Sequence, residues 1–98
     1  MKVKLRPEAR QDIYEASLFY DLQSDGLGDH FIKCIFEDLQ RLELFAGIHS
    51  KRSNYYRILS QKFPFIICYE LSDNRIEVIA ILSCRMRPER IDSVISRR

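Results

Sequence analysis

The sequence predicts an α+β domain: an N-terminal strand and an αα-hairpin packed on an antiparallel sheet of three to four strands. Two observations carry this prediction. Up to about residue 46, apolar residues recur mostly at the three- and four-residue spacing of amphipathic helices. After residue 50, the segments become rich in aromatic and β-branched residues, as strands are. Because 98 residues enclose a single core, residues 1–98 are expected to form one domain.

The first half of the chain is predicted to be one strand followed by two helices. KVKLR alternates polar and apolar residues, which places Val3 and Leu5 on one face of a strand. Pro7 suits the first turn of a helix, and the apolar spacing continues that helix to about Leu22. The segment SDGLGD interrupts it with two glycines, and a loop of about five residues would join the two helices as an αα-hairpin. Gly47 is a typical residue to end the second helix.

The second half contains the predicted strands YYRIL, FPFIICYEL and IEVIAILSC. Asp73 and Asn74 suit a tight hairpin turn between the last two, and Pro64 falls near a strand start, where proline is tolerated. Both of these strands are apolar on both faces, so the sheet needs cover on both sides. The helices can cover one side. The other cover is expected to be the chain's own C-terminal tail or a partner.

Positive charge is concentrated in the second half of the chain. Residues 51–98 hold ten Lys or Arg against five Asp or Glu, whereas residues 1–50 hold six against nine. Counting register from the two hairpin turns places Arg57 across from about Phe65, roughly 10 Å inward from one end of the sheet. Lys62, Arg85 and Arg87 are expected to gather at that end. The candidate binding residues are Arg57, Lys62, Arg85, Arg87 and Arg90. They indicate either a solvated face or a surface for a phosphate backbone or an acidic protein.

Several function classes find no support in the sequence. No apolar run approaches the roughly 20 residues that cross a bilayer, and MKVKLRPEAR contains no apolar signal segment, so no membrane role is expected. Cys34, Cys68 and Cys84 are widely spaced in apolar runs, as in reduced cytoplasmic proteins. The sequence shows no carboxylate pair, phosphate-binding glycine loop or metal-ligand cluster, so neither a cofactor nor a metal is expected. His49 is expected to be a surface residue.

Four segments carry a resemblance to a known family. They are PEARQDIYEASLFY, GLGDHF, YYRILSQKFPFIICYEL and VIAILSCRMRPERI. In this order, these segments resemble the RelE/ParE toxins of type II toxin–antitoxin systems, and GLG and FPF sit closer to the ParE-type branch. The resemblance implies a cytoplasmic toxin of the plasmid-stabilisation type. It also implies a cognate antitoxin partner, with which the toxin can form a hetero-oligomer. An extended or helical antitoxin segment would fit the sheet face left uncovered by the helices.

The resemblance leaves the target of the toxin open between two classes. ParE-type members inhibit DNA gyrase without catalysing a reaction, and RelE-type members are endoribonucleases that cut mRNA on the ribosome. Arg57 and Arg85 match two positions of the RelE-type basic set. Leu59 and Ile66 stand where two more basic residues are expected, and Ile91 stands where a C-terminal Tyr is expected. These departures favour a gyrase inhibitor over an enzyme. A third hypothesis is a non-toxic module that still binds an antitoxin.

Overall fold

The computed structural model describes residues 2–98 and has the predicted α+β class. The elements are β1 (Lys2–Leu5), α1 (Pro7–Gln23), α2 (Leu27–Phe45), β2 (Lys51–Arg52), β3 (Tyr55–Leu59), β4 (Phe65–Ser72), β5 (Arg75–Ser83) and α3 (Pro88–Arg97). The N-terminal strand, both helices of the hairpin and the three later strands are therefore confirmed. None of the helices in this range has the length and apolar content that crossing a bilayer requires.

The sheet is larger than predicted and mixed rather than wholly antiparallel. Over residues 2–98 it contains five strands in the order β1-β5-β4-β3-β2. β1 joins it by pairing parallel to β5, with Val3 beside Ile76 and Leu5 beside Val78. The remaining neighbours are antiparallel, and β2 is a two-residue strand at the far edge. In the sequence, α1 and α2 lie between β1 and the other strands. This long connection makes the parallel pairing possible.

The connection between α1 and α2 is shorter than the predicted five residues, because only one of the two glycines lies in it. Gly26 precedes α2 with a φ of 84°, a left-handed conformation that glycine adopts without strain. Gly28 lies inside α2 and is buried. A Cβ at position 28 would overlap the carbonyl oxygen of Ser17 and lie 2.7 Å from the carboxylate carbon of Asp21. Gly28 therefore allows close contact between the two helices.

The two hairpins follow the prediction to different extents. Asp73 and Asn74 take φ values of 46° and 62°, so the predicted tight turn between β4 and β5 is confirmed. Between β3 and β4 the connection spans residues 60–64, longer than the predicted turn. As a result, Arg57 pairs with Cys68 and the predicted pairing with Phe65 is wrong. The three-residue difference moves Arg57 about 10 Å farther along the sheet.

A buried carboxylate explains the longer connection. Asp38 on α2 is only 2% exposed. It accepts hydrogen bonds from Ser60 Oγ at 2.6 Å and from the Gln61 backbone N at 3.4 Å, and it forms an ion pair with Arg41. These bonds hold the start of the 60–64 loop against α2 and satisfy a charge that burial would otherwise make costly. The sequence pattern carries no signal for a contact across this separation.

Both faces of the sheet are covered by the chain itself. On one side, α1 and α2 pack on a core whose members include Ile13, Phe31, Ile35, Leu42, Ile67, Tyr69, Val78 and Ile81. On the other side lies α3, which the sequence analysis did not predict as a helix. Ile91 and Ile95 of α3 pack on Tyr55, Ile66, Cys68, Ile79, Ala80 and Leu82. The C-terminal tail is thus the second cover, and the face expected to be open to an antitoxin segment is occupied.

An arginine and an aspartate complete the edge of β5 where β1 ends. β1 pairs with β5 only as far as Val78. Beyond that point Asp12 accepts a hydrogen bond from the Ile81 N–H at 2.9 Å, and Arg98 donates to the Ile79 carbonyl at 3.1 Å. Asp12 and Arg98 also form an ion pair with an N–O distance of 2.6 Å. The two side chains therefore satisfy β5 backbone groups in place of a strand and attach the end of α3 to α1.

Gly28→Ala tests the close contact between the helices of the hairpin. The added Cβ should destabilise the fold by about 2 kcal/mol, because the atom that it meets is backbone and cannot rotate away. The free energy of unfolding measured in urea checks this. Gly26→Asn is the matched control: Asn tolerates the left-handed conformation and nothing lies within 4 Å of a Cβ there, so its cost should stay well below that of Gly28→Ala. Equal costs for the two variants would contradict the packing role.

Candidate functional site

Four of the five candidate cations lie toward one end of the sheet. We call the surface that these four residues form the basic end. They are Lys62, Arg85, Arg87 and Arg90, and all four are exposed. The Cys84 N–H donates to the Pro64 carbonyl at 3.0 Å, which joins the loop carrying Lys62 to the turn carrying Arg85. The predicted gathering of Lys62 with this turn at one end of the sheet is therefore confirmed.

The turn that carries Arg85 and Arg87 is anchored by packing and by backbone hydrogen bonds. Met86 packs on the apolar core under α3, and its N–H donates to the Ser83 carbonyl at 3.1 Å. Arg87 caps α3 through its carbonyl, which accepts the N–H groups of Arg90 at 2.9 Å and Ile91 at 3.0 Å. The N-terminal end of α3 adds the positive end of a helix dipole to these side chains. The result is an anchored, positively charged turn.

Arg57 lies apart from the basic end and beside a different cavity. The cavity has a volume of about 510 Å³ and is lined by His49, Arg57, Leu59 and Ile66, among others. His49 is fixed there, since its Nδ1 lies 2.5 Å from the Tyr69 hydroxyl. Sequence reasoning assigned His49 to the general surface. The contact with Tyr69 is visible only once α2 and β4 are packed together.

The positions that depart from the RelE-type pattern are mostly packing positions. Ile66 is 8% exposed and Ile91 is 1% exposed, and both belong to the core under α3. Leu59, by contrast, is a largely exposed residue at the end of β3. Ile66 and Ile91 thus belong to the apolar core between the sheet and α3, while Leu59 and Ile66 also line the cavity beside Arg57. No three His, Cys, Asp or Glu side chains among residues 2–98 are grouped so that they could hold a metal ion.

The base of α3 is held to β2 and β3 by a carboxylate. Asp92 accepts hydrogen bonds from Arg52 Nε at 2.9 Å and from the Tyr55 hydroxyl at 2.7 Å. The bond from Arg52, followed by the bond from Tyr55, lowers the pKa of Asp92. Burial of Tyr55, followed by its hydrogen bond to Asp92, raises the pKa of Tyr55. These groups keep α3 in place and face away from the basic end.

The candidate cations differ from the other arginines in their partners. Over residues 2–98, the arginines in ion pairs are Arg6, Arg41, Arg52 and Arg98. Within the same range, the five candidates, Arg57, Lys62, Arg85, Arg87 and Arg90, take part in none of these pairs. Their charge is therefore not neutralised within the fold, as a surface for an anionic partner requires.

Comparison with known proteins identifies the family. A sequence family described as "ParE toxin of type II toxin-antitoxin system, parDE" matches residues 3–88. The chain belongs to the ParE toxin family. The match runs from β1 to the first residue of α3, so most of α3 lies outside the matched residues.

A solved structure shows the same fold. It is described as "Chromosomal ParDE TA system from P. aeruginosa", with a TM-score of 0.69 over 85% of this chain and 95% of that chain. At 18% identity the likeness concerns the fold alone. Comparison with curated protein sequences gives no significant match. The expected ParE-like toxin fold and family are thus confirmed.

The pH dependence of stability tests how Asp92 holds α3. The folded-state pKa of Asp92 lies below its unfolded value of about 3.9, so its contribution is present above that pH. The contribution is lost as the pH falls through the folded-state pKa. Asp92→Asn should therefore flatten the fall in unfolding free energy below about pH 4, measured by urea denaturation at several pH values. Asp25→Asn, an exposed matched control, should keep the wild-type dependence; identical curves for all three proteins would contradict this role.

Thiol labelling tests the contrast between the exposed turn at the basic end and the buried interior. Cys34 and Cys68 are buried, whereas Cys84 is exposed. Burial is the main cause that raises the pKa of the Cys68 thiol to about 12. In the native protein at pH 8, a chromogenic disulfide reagent should therefore react rapidly with Cys84 alone. Cys84→Ser should abolish the rapid phase, and a rapid phase that survives this change would contradict the placement.

Proposed function

We propose that this ParE-family chain is a toxin that binds DNA gyrase and blocks its cycle, and that a cognate antitoxin neutralises it. The observation that carries the proposal is the apolar packing of Ile66 and Ile91 beneath α3. This packing puts apolar side chains at two positions where the nuclease pattern has a basic and an aromatic group, and it leaves the exposed arginines as a binding surface. Inhibition by binding needs complementary contacts and no reacting groups of its own.

The basic end supplies the chemistry that such binding needs. Arginine presents a planar fork of donors that suits carboxylates and phosphates, and it is frequent at protein interfaces. Arg85 and Arg87 are held on an anchored turn, so less conformational entropy is lost when they bind. We therefore assign the basic end to the gyrase contact. The chain is expected to act in the cytoplasm, where gyrase is found, and this expectation rests on the same proposal.

A DNA supercoiling assay with purified toxin tests the proposal. The wild type should inhibit gyrase, and addition of its antitoxin should restore activity. The double variant Arg85→Glu with Arg87→Glu should need about tenfold more protein for half inhibition, because two charges facing the target are reversed. Lys33→Glu, an exposed charge reversal on α2, is the matched control and should inhibit as the wild type does. Gyrase that is unaffected by the folded wild type would overturn the proposal.

One observation favours a second function, the cutting of mRNA on the ribosome. His49 and Arg57 line the same cavity, and an imidazole with a guanidinium can serve proton transfer and phosphate stabilisation. If this function holds, ribosome-dependent cuts in a translated message should appear with the wild type. They should be lost with Arg57→Ala or His49→Ala and should persist with Lys33→Glu. Intact messages under these conditions would remove this alternative.

Induced expression without antitoxin separates both toxic functions from a non-toxic antitoxin-binding module. Growth arrest is the expected outcome for either toxin. Normal growth with folded protein present would favour the non-toxic module.

A further inference from the structure

The charged residues of α3 lie on two different flanks of the helix. Asp92 is directed toward β2 and β3, where it binds Arg52 and Tyr55. At about 100° per residue, Arg90 and Arg97 lie within about 20° of one another and roughly 150° from Asp92 around the helix. They therefore extend from the opposite flank, about 10 Å apart along the helix axis. We call the surface formed by Arg90 and Arg97 the basic flank.

The basic flank keeps its positive charge, whereas the last residue of the chain does not. Arg90 and Arg97 are exposed, and neither belongs to an ion pair among residues 2–98. Arg98, in contrast, is neutralised by Asp12. Glu89, the second acidic residue of α3, lies about 100° from Arg90 around the helix. The charge of the basic flank is therefore available to a partner.

The basic flank continues the basic end along the helix. Arg90 belongs to both surfaces, and Arg85 and Arg87 lie on the anchored turn that precedes α3. From Arg87 to Arg97 the helix rises about 15 Å. Because the apolar side of α3 is packed on the sheet, this row of cations keeps its spacing. Duplex DNA carries one charge about every 1.7 Å of its axis, so a row of this length can meet several phosphates.

The composition of this surface decides which anionic partner fits it. No aromatic residue or histidine follows Tyr69 in the sequence, so neither the turn nor α3 offers a ring that could stack on bases. This disfavours single-stranded nucleic acid, which is bound by stacking as well as by charge. Protein interfaces have an apolar centre, but the apolar residue between Arg90 and Arg97 on this side is Val94, which is partly buried on the core under α3. Guanidinium groups beside the exposed hydroxyl of Ser93 suit phosphate oxygens.

We propose that the basic flank, together with the basic end, binds the phosphate backbone of duplex DNA. Arg90 and Arg97 donate to phosphate oxygens, and Ser93 adds a hydroxyl donor beside them. Such contacts position a protein on DNA and carry no base sequence information. That this DNA is the segment held by gyrase rests on the proposed function. The toxin then contacts the enzyme and its DNA substrate side by side.

Binding of a fluorescein-labelled duplex tests the recognition. Fluorescence anisotropy with the full chain and a duplex of about 20 base pairs should show saturable binding at about 50 mM salt. Phosphate contacts by Arg85, Arg87, Arg90 and Arg97 should give a slope of about −3.6 when the logarithm of the affinity is plotted against that of the salt concentration. The affinity should thus fall roughly hundredfold between about 50 and 200 mM salt. Failure to saturate by about 100 µM protein at the lower salt concentration would overturn the proposal.

Two double variants separate the basic flank from the net charge. Arg90→Gln with Arg97→Gln should reduce the slope to about −1.8 and weaken binding at least about tenfold at low salt. Lys2→Gln with Lys4→Gln removes the same charge from exposed positions of β1 and should keep the wild-type slope. Equal slopes for the two double variants would contradict the proposal. The free energy of unfolding in urea checks that each variant is folded, and Arg97→Gln alone, with a slope reduced by about 0.9, is the milder second variant.

Competition identifies the class of anion that the surface binds. Unlabelled duplex should displace the labelled duplex. A single strand of the same length and polyglutamate should each require at least about tenfold higher concentrations, because the surface lacks stacking rings and an apolar centre. Polyglutamate that competes as well as the duplex would indicate a surface for an acidic protein, and a single strand that competes better would indicate stacking on bases. Either result would overturn the assignment to duplex DNA.

The DNA contact and the proposed target can fail separately. Inhibition of gyrase by the wild type without binding of the free duplex would overturn only the DNA contact. Binding of the duplex with unaffected gyrase would overturn only the proposed target. If both hold, Arg90→Gln with Arg97→Gln should need more protein for half inhibition of supercoiling than Lys2→Gln with Lys4→Gln. Equal amounts for the two variants would show that the DNA held by gyrase is not the DNA that the basic flank contacts.

Discussion

The central strands β4 and β5 are apolar on both faces, and the rest of the structure depends on covering them. Ile67 and Tyr69 face the layer of α1 and α2, whereas Ile66 and Cys68 face α3. Burial of one large aliphatic side chain stabilises a protein by about 1.5–3 kcal/mol, so an exposed second face would lose many such contributions. This constraint explains why the basic C-terminal segment forms an amphipathic helix, α3, whose apolar side covers the second face of the sheet.

The arginines divide into two sets: those that hold α3 on the sheet and those that stay free of ion pairs. Arg6, Arg52 and Arg98 lie in ion pairs around α3 and the neighbouring strand edges. Exposed ion pairs contribute about 0–1 kcal/mol each, which is less than the packing of a single isoleucine. Their main effect is therefore to fix where α3 lies, while packing supplies most of the stability. The arginines of the basic end lie outside this network, on a turn that Met86 anchors, and they keep their charge available to a partner.

The packing under α3 also bears on whether this fold acts as a nuclease or inhibits by binding. Ile66 and Ile91 occupy two positions of the nuclease pattern with apolar side chains that pack under α3, so they supply no group for proton transfer or phosphate stabilisation. The remaining exposed features are suited to binding: a charged turn at one end of the sheet and an open strand edge at β1. The two edges near α1 are treated differently. Asp12 and Arg98 satisfy the backbone of β5, whereas the outward backbone groups of β1 have no strand partner among residues 2–98.

The sequence by itself determined the elements whose signals are local. Helical spacing after Pro7, strand composition after residue 50 and the Asp73–Asn74 turn depend on neighbours within a few residues, and all three agree with the structure. Four short segments sufficed to indicate the toxin family. Of the candidate cations, Lys62, Arg85 and Arg87 lie on segments that meet at the predicted end of the sheet, because those segments adjoin the ends of β3 and β5.

Only the tertiary structure decided the features that join distant parts of the chain. Asp38 lengthens the connection before β4 and so shifts the register of Arg57. Gly28 lies inside a helix because α1 packs against it, although the sequence alone made it look like a loop residue. The pairing of β1 with β5, the contact of His49 with Tyr69 and the closure by Arg98 all depend on residues far apart in sequence. Such contacts leave no periodic pattern, since their energy comes from burial and hydrogen bonds that exist only in the assembled fold.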